Sequence, residues 1–115
     1  MDKNRLKSYF LDKNSKISDA INILQKNIIK LVVIVEKGKL VGIITDGDIR
    51  RGLIRKFSID DKCKDIMNKK PIFIYSDEKN DLKNFNLKKD YHPERRYIIV
   101  VNKLEKVTDI IDRAE

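Results

Sequence analysis

The stretch Gly42-Ile43-Ile44-Thr45-Asp46-Gly47-Asp48 places a hydroxyl, and three residues later a carboxylate, where an apolar run gives way to a helical pattern. A carboxylate only accepts hydrogen bonds and can take two from the cis hydroxyls of a ribose; a threonine hydroxyl can donate to or accept from ribose or phosphate. Gly42 lets a ligand or a neighbouring backbone come close. A helix beginning near Asp48 directs free N–H groups and a partial positive charge toward an anion. Together these groups can grip a nucleoside phosphate. The same spacing equally describes a turn in which Asp48 caps the helix, so the residues alone leave both readings open.

Either role needs a frame that holds the strand end and the helix start. Residues 16–27 carry Ile17, Ala20, Ile21, Ile23 and Leu24 at the spacing of one helix face, and Ser18 or Asp19 can cap its start. Residues 31–35 and 40–45 read as strands joined by a tight turn at Lys37-Gly38-Lys39, with Gly38 supplying a positive φ. Both are almost continuously apolar, which predicts cover on both faces. Residues 46–57 then form a helix whose Ile49, Leu53 and Ile54 are expected to face the core, leaving Arg50, Arg51, Arg55 and Lys56 toward water. A less regular second round follows: a strand at 72–74 after Pro71, a weak helix at 77–87, and strands at 97–101 and 107–111.

The two rounds are an internal repeat. LVVIVEKGKLVGIITDGD (31–48) matches YIIVVNKLEKVTDIIDRAE (97–115) with one extra residue in the second turn. In that register Gly42 matches Asp109, Thr45 matches Asp112 and Asp48 matches Glu115, so the apolar scaffold persists while the polar positions change.

LVVIVEKGKLVGIITDGDIRRGL resembles the core of a CBS domain, whose nucleotide motif runs glycine, two apolar residues, threonine or serine, two variable residues, aspartate. SIDDKCKDIMNKKPIFI (58–74) resembles the connector between tandem CBS repeats. The resemblance implies an α/β (α+β) fold of two repeats, each a small sheet with helices packed on one side: residues 1–60, a connector at 61–70, and a shortened, degenerate repeat at 71–115. It implies a regulatory module binding AMP, ATP or another adenosyl ligand between the repeats, with Asp48 on ribose hydroxyls and Thr45 on ribose or phosphate. Gly42 and Ile43 belong to that motif; Ile17 is either an adenine wall or a plain core residue, and Arg50 and Arg51 either meet phosphate or stand in water. With Asp109, Asp112 and Glu115 in place of the motif residues, at most one working site is expected per chain. CBS pairs also imply a homodimer through their helices. TDGDIRRGL with its connector resembles the CBS pair ahead of bacterial sugar-phosphate nucleotidyltransferases, or that of sugar-phosphate isomerases. The stop at Glu115, without a second closing helix, is what a fragment of a longer protein with an attached catalytic domain would show.

Composition narrows the classes. A chain of 115 residues with 41% hydrophobic and 38% charged residues suits one soluble globular unit. No apolar run reaches the ~20 residues that span a bilayer, and the polar start lacks a signal-peptide core; a cytoplasmic protein with no membrane partner is expected. One cysteine, Cys63, and one histidine, His92, exclude an intrachain disulfide and a zinc cluster. Cys63 reads as a partly buried small residue and His92 as a loop residue. The net charge of +8 comes from scattered lysines without interleaved aromatics, so the charge reads as a solvated surface rather than a nucleic-acid face. No base, nucleophile or metal set marks an enzyme. A ligand-free interaction module is the alternative to a sensor.

Overall fold

Residues 31–34 are fully buried in the computed structural model, which describes residues 1–77 and 95–114. Consecutive buried side chains entering and along a strand require cover on both faces, as their unbroken apolar run predicts. The elements run α1 (Lys3–Lys7), β1 (Phe10–Leu11), α2 (Ile17–Lys26), β2 (Val32–Glu36), β3 (Lys39–Ile44), α3 (Asp46–Ile54), a 3-10 turn (Cys63–Asp65), β4 (Phe73–Tyr75), β5 (Tyr97–Val101) and β6 (Val107–Asp112). They form two three-stranded sheets, β1-β2-β3 and β4-β5-β6. This is a mixed α+β architecture, as the sequence implies. The helix expected at 77–87 lies, beyond Asp77, outside the described residues, as do His92 and Glu115.

The sheets repeat each other in register. β1 runs parallel to β2 with Phe10 opposite Val33, and β4 parallel to β5 with Phe73 opposite Ile99. Each hairpin carries a bulge at the same place: Ile34 faces Gly42 just before one, and Val100 faces Asp109 just before the other. Gly42 and Asp109 are therefore structural equivalents. The first hairpin closes through Lys37 (φ 52) and Gly38 (φ 81), positive at both central positions as such a turn requires. The second has one residue more, with Glu105 at φ 65 and the Asn102 side chain accepting the Leu104 and Lys106 amides at 2.9 and 3.1 Å. The two turns then bond reciprocally: Val107 N–H donates to Gly38 C=O at 3.0 Å, and Leu40 N–H to Glu105 C=O at 3.3 Å.

Alternation along each strand divides the core in two. Leu31, Val33 and Ile43 from the first sheet pack with Tyr97, Ile99, Val101, Val107 and Ile110 from the second, joined by Leu6 and Tyr9. The opposite face of the first sheet, with Val32, Ile34 and Ile44, is covered by Ile17, Ala20 and Leu24 of α2, Ile49 of α3, and Cys63 and Ile66 of the connector. Burying each of the valine, leucine and isoleucine side chains is worth roughly 1.5–3 kcal/mol. α2 starts as expected, the Asp19 carboxylate accepting the Lys16 N–H at 3.2 Å. α3 is turned differently from expectation. Its inward side is Ile49 and Gly52, while Leu53 and Ile54 are 48% and 79% exposed. The cause is close packing on the connector, since a Cβ on Gly52 would lie 2.7 Å from Ile66 Cγ2.

The connector is strapped to the first repeat. Cys63 N–H donates to Ser15 C=O and Ile17 N–H to Asp61 C=O, both at 2.8 Å; Ile43 and Asn68 exchange backbone bonds at 3.0 and 2.8 Å. That exchange explains Gly42, whose added Cβ would stand 2.8 Å from Asn68 O and 2.9 Å from Met67 Sδ. The close approach is made by backbone. Gly42→Ala should therefore destabilise the fold by about 1–3 kcal/mol in urea or thermal unfolding; an unchanged midpoint would mean that the connector can retreat freely.

Candidate functional site

Thr45 closes β3 in extended conformation and Asp48 lies in the first turn of α3, so one change of backbone direction brings them together. Thr45 N–H donates to Asp48 Oδ2 at 2.9 Å, the Thr45 hydroxyl donates to the same oxygen at 3.1 Å, and Asp48 N–H reaches Thr45 Oγ1 at 3.4 Å. Arg51 Nη2 takes Asp48 Oδ1 at 2.9 Å. The capping alternative is thus realised, with Thr45 rather than Asp48 as the cap residue and Asp48 as the reciprocal acceptor. A carboxylate offers about four acceptor positions, and three of them are engaged, so capping leaves room for one more donor.

Beside this corner opens a cleft of about 980 Å³, near the top of the range for small-molecule sites. Ile43, Thr45, Asp48 and Arg50 of the candidate residues line it. Gly42 is not among the described lining because the connector backbone covers it. Ile17 is 1% exposed in the α2 core, so its core alternative is the one found. The opposing wall comes from later in the chain: Lys70 at the end of the connector and Ile72 just beyond it, and Arg95 and Arg96 just before β5 with Tyr97 at its start. In the sequence, Arg95-Arg96 could either present charge to an anion or only join a helix to a strand, and nothing there brings these wall residues together. The Arg95-Arg96 pair before a β-branched strand was the available signal, but nothing local says that it faces Thr45.

The second motif is built differently. Asp112, the counterpart of Thr45, is gripped by Arg96 through Nε and Nη2 at 2.7 and 2.8 Å, and the Arg96 guanidinium lies 5.3 Å from the Tyr97 ring centre. The Arg96 bond, with help from the Ala114 N–H, holds the Asp112 carboxyl below the usual carboxylate range against the opposing effect of burial. Burial pushes the Tyr97 phenol up, Asp112 and Asp46 adding to it while Arg96 opposes. Asp109, in place of the glycine, sits 3.6 Å from the chain's amino terminus and accepts the Ile110 N–H at 2.8 Å. Arg113 is 4% exposed and donates from Nη2 to Arg95 C=O; its Nε has no hydrogen-bond partner among the described residues.

Cys63 is more deeply placed than expected, with no exposed surface. Burial, and then Asp19, push its thiol up to about 11, far from a reactive thiolate. Among the described residues no group of histidine, cysteine or carboxylate side chains could hold a metal ion, and no helix is long and apolar enough to cross a membrane.

Residues 5–55 match the CBS domain family. A segment of 45 residues is 33% identical to Hypoxic response protein 1 of Mycobacterium tuberculosis; it covers 39% of this chain and 32% of that relative, about a third of its length. Solved structures match nearly the whole chain. The CBS domain pair of protein MJ0100, in complex with 5′-methylthioadenosine and S-adenosyl-L-methionine, is 29% identical with a TM-score of 0.73, covering 91% of this chain and 84% of that one. Staphylococcus aureus OpuCA is 19% identical with a TM-score of 0.75 over the same shares, 91% and 84%. The CBS domain protein PAE2072 from Pyrobaculum aerophilum, complexed with AMP, is 20% identical with a TM-score of 0.68, covering 90% and 78%.

The Arg96–Asp112 pair has a pH signature. A carboxyl held below its unfolded value adds stability that is present above the ordinary carboxylate range and is lost as pH falls through the lowered value. Asp112→Asn should cost about 1–3 kcal/mol at neutral pH, and the gap from wild type should close in acid. A gap that persists to the lowest pH at which both proteins fold would show that the charge is not what matters.

Proposed function

We propose that this chain, whose fold is that of a CBS domain pair, is a regulatory module without catalysis of its own that takes an adenine nucleotide or other adenosyl ligand in its inter-repeat cleft. The observation that carries this reading is the composition of the cleft. Thr45 and Asp48 meet residues of the connector and the second repeat there. The open acceptor position on Asp48 suits a ribose hydroxyl, and the start of α3 suits phosphate. Ile43, Ile72 and Tyr97 offer apolar and aromatic walls for a base. AMP in PAE2072 and the adenosyl compounds in MJ0100 support this ligand class.

Because the walls come from both repeats, a bound ligand favours whichever relative placement of the repeats binds it better, and an attached domain can respond by no more than that difference. The TDGDIRRGL string and its connector support a sugar-phosphate nucleotidyltransferase as the attached domain in a cytoplasmic protein, with a sugar-phosphate isomerase as the alternative. The exposed Leu53 and Ile54 on α3 support a homodimer through the helices. They also favour a second reading, a ligand-free dimerisation module, since Asp48 is already engaged by its own cap and by Arg51.

Calorimetric titration with AMP, ADP, ATP, S-adenosylmethionine and methylthioadenosine separates the two. At least one adenosyl compound should bind, and Asp48→Asn, which can still cap α3, should weaken it about tenfold. No heat from any of them with folded protein would leave the dimerisation module. Light scattering tests the interface: wild type should run as a dimer and Ile54→Asp as a monomer, and a monomeric wild type would reject a helix-mediated pair.

A further inference from the structure

The charge around the cleft is more one-sided than a nucleoside or a single phosphate requires. Among its described residues the lining carries Lys30, Arg50, Arg51, Lys70, Arg95 and Arg96 against only Asp46 and Asp48. Three of these cations have evident structural work. Lys30 Nζ donates to the Leu24 and Asn27 carbonyls at 2.8 and 2.9 Å, closing the end of α2. Arg51 holds Asp48 and Arg96 holds Asp112. Arg50, Lys70 and Arg95 have no carboxylate partner among the described residues, although they stand on three separate stretches of chain that the fold gathers around one opening. Behind Arg95 lies Arg113, 4% exposed and joined to the Arg95 carbonyl. Its positive charge is screened little by solvent and adds to the same potential.

We propose that the cleft takes nucleotides bearing two or more phosphates in preference to monophosphates and to neutral or cationic adenosyl compounds. The inference rests on the adenine-nucleotide reading above and specifies its ligand class. A sulfonium placed here is repelled by the surrounding guanidinium groups, and a methylthio group offers them nothing. One phosphate at the start of α3 can reach the cation nearest it. A di- or triphosphate chain carries more charge over a longer span and can meet Arg50, Lys70 and Arg95 together, forming charge-assisted bonds on several sides. The volume of about 980 Å³ accommodates such a chain beside a base.

The test is calorimetric titration of the folded chain, without magnesium, using ATP, ADP, AMP, methylthioadenosine and inorganic tripolyphosphate at low and high salt. ATP should bind at least about tenfold more tightly than AMP, with the gap shrinking as salt rises. Arg50→Gln, Lys70→Gln and Arg95→Gln, all at exposed positions, should each weaken ATP by roughly three- to tenfold while changing AMP less; a thermal melt confirms that each variant is folded. AMP or methylthioadenosine binding as tightly as ATP would overturn this inference and leave the adenosyl-sensor reading intact. Tripolyphosphate matching ATP would uphold the phosphate preference and sink the adenosine part of that reading. Binding by none of the five would overturn this inference, and failure of S-adenosylmethionine to bind as well would overturn both.

Discussion

The packing of one three-stranded sheet against the other is the constraint on which the rest of this structure depends. Leu31, Val33 and Ile43 meet Tyr97, Ile99, Val107 and Ile110 in a single buried cluster. Neither sheet is large enough to keep its apolar face dry alone. The reciprocal backbone bonds between Gly38 and Val107 and between Leu40 and Glu105 set the two hairpins in one relative position. Once that position is set, the end of β3 and the approach to β5 must border the same opening.

The helix start in that opening is organised before any ligand arrives. The Thr45–Asp48 reciprocal bonds satisfy donors that the first turn of a helix would otherwise leave free, and they orient the hydroxyl and carboxylate that the nucleotide reading uses. Capping and binding are compatible roles for the same two residues because a carboxylate has more acceptor positions than the cap consumes. Gly42 contributes differently, by admitting the connector rather than a ligand. The connector in turn carries Lys70 and Ile72 to the opposite wall.

The second half has kept the sheet and changed its polar chemistry. Asp112 would repel a phosphate if it were open, but Arg96 neutralises it with two short bonds. Arg96 thereby becomes part of the wall facing Thr45. The altered second motif thus helps build the cleft beside the first. This is a physical route by which the second repeat, with Asp109 and Asp112 at the positions of Gly42 and Thr45, still matters to its neighbour.

The sequence by itself determined the strands, the hairpins and the repeat, because apolar periodicity, a glycine turn and a repeated string are local signals. It placed the Gly42–Asp109 equivalence correctly, and the shared bulge confirms that register. It also located Thr45 and Asp48 and stated both of their possible roles. It did not reveal β1, whose two residues are too few to show a period, nor the outward turn of Leu53 and Ile54, which depends on how closely Gly52 approaches Ile66. Only the tertiary structure decided that Gly42 serves the connector, that Ile17 belongs to the core, and that Lys70, Arg95, Arg96 and Tyr97 share an opening with Thr45. Those facts depend on contacts between residues far apart in the chain, and the packing of the two sheets sets which of them meet.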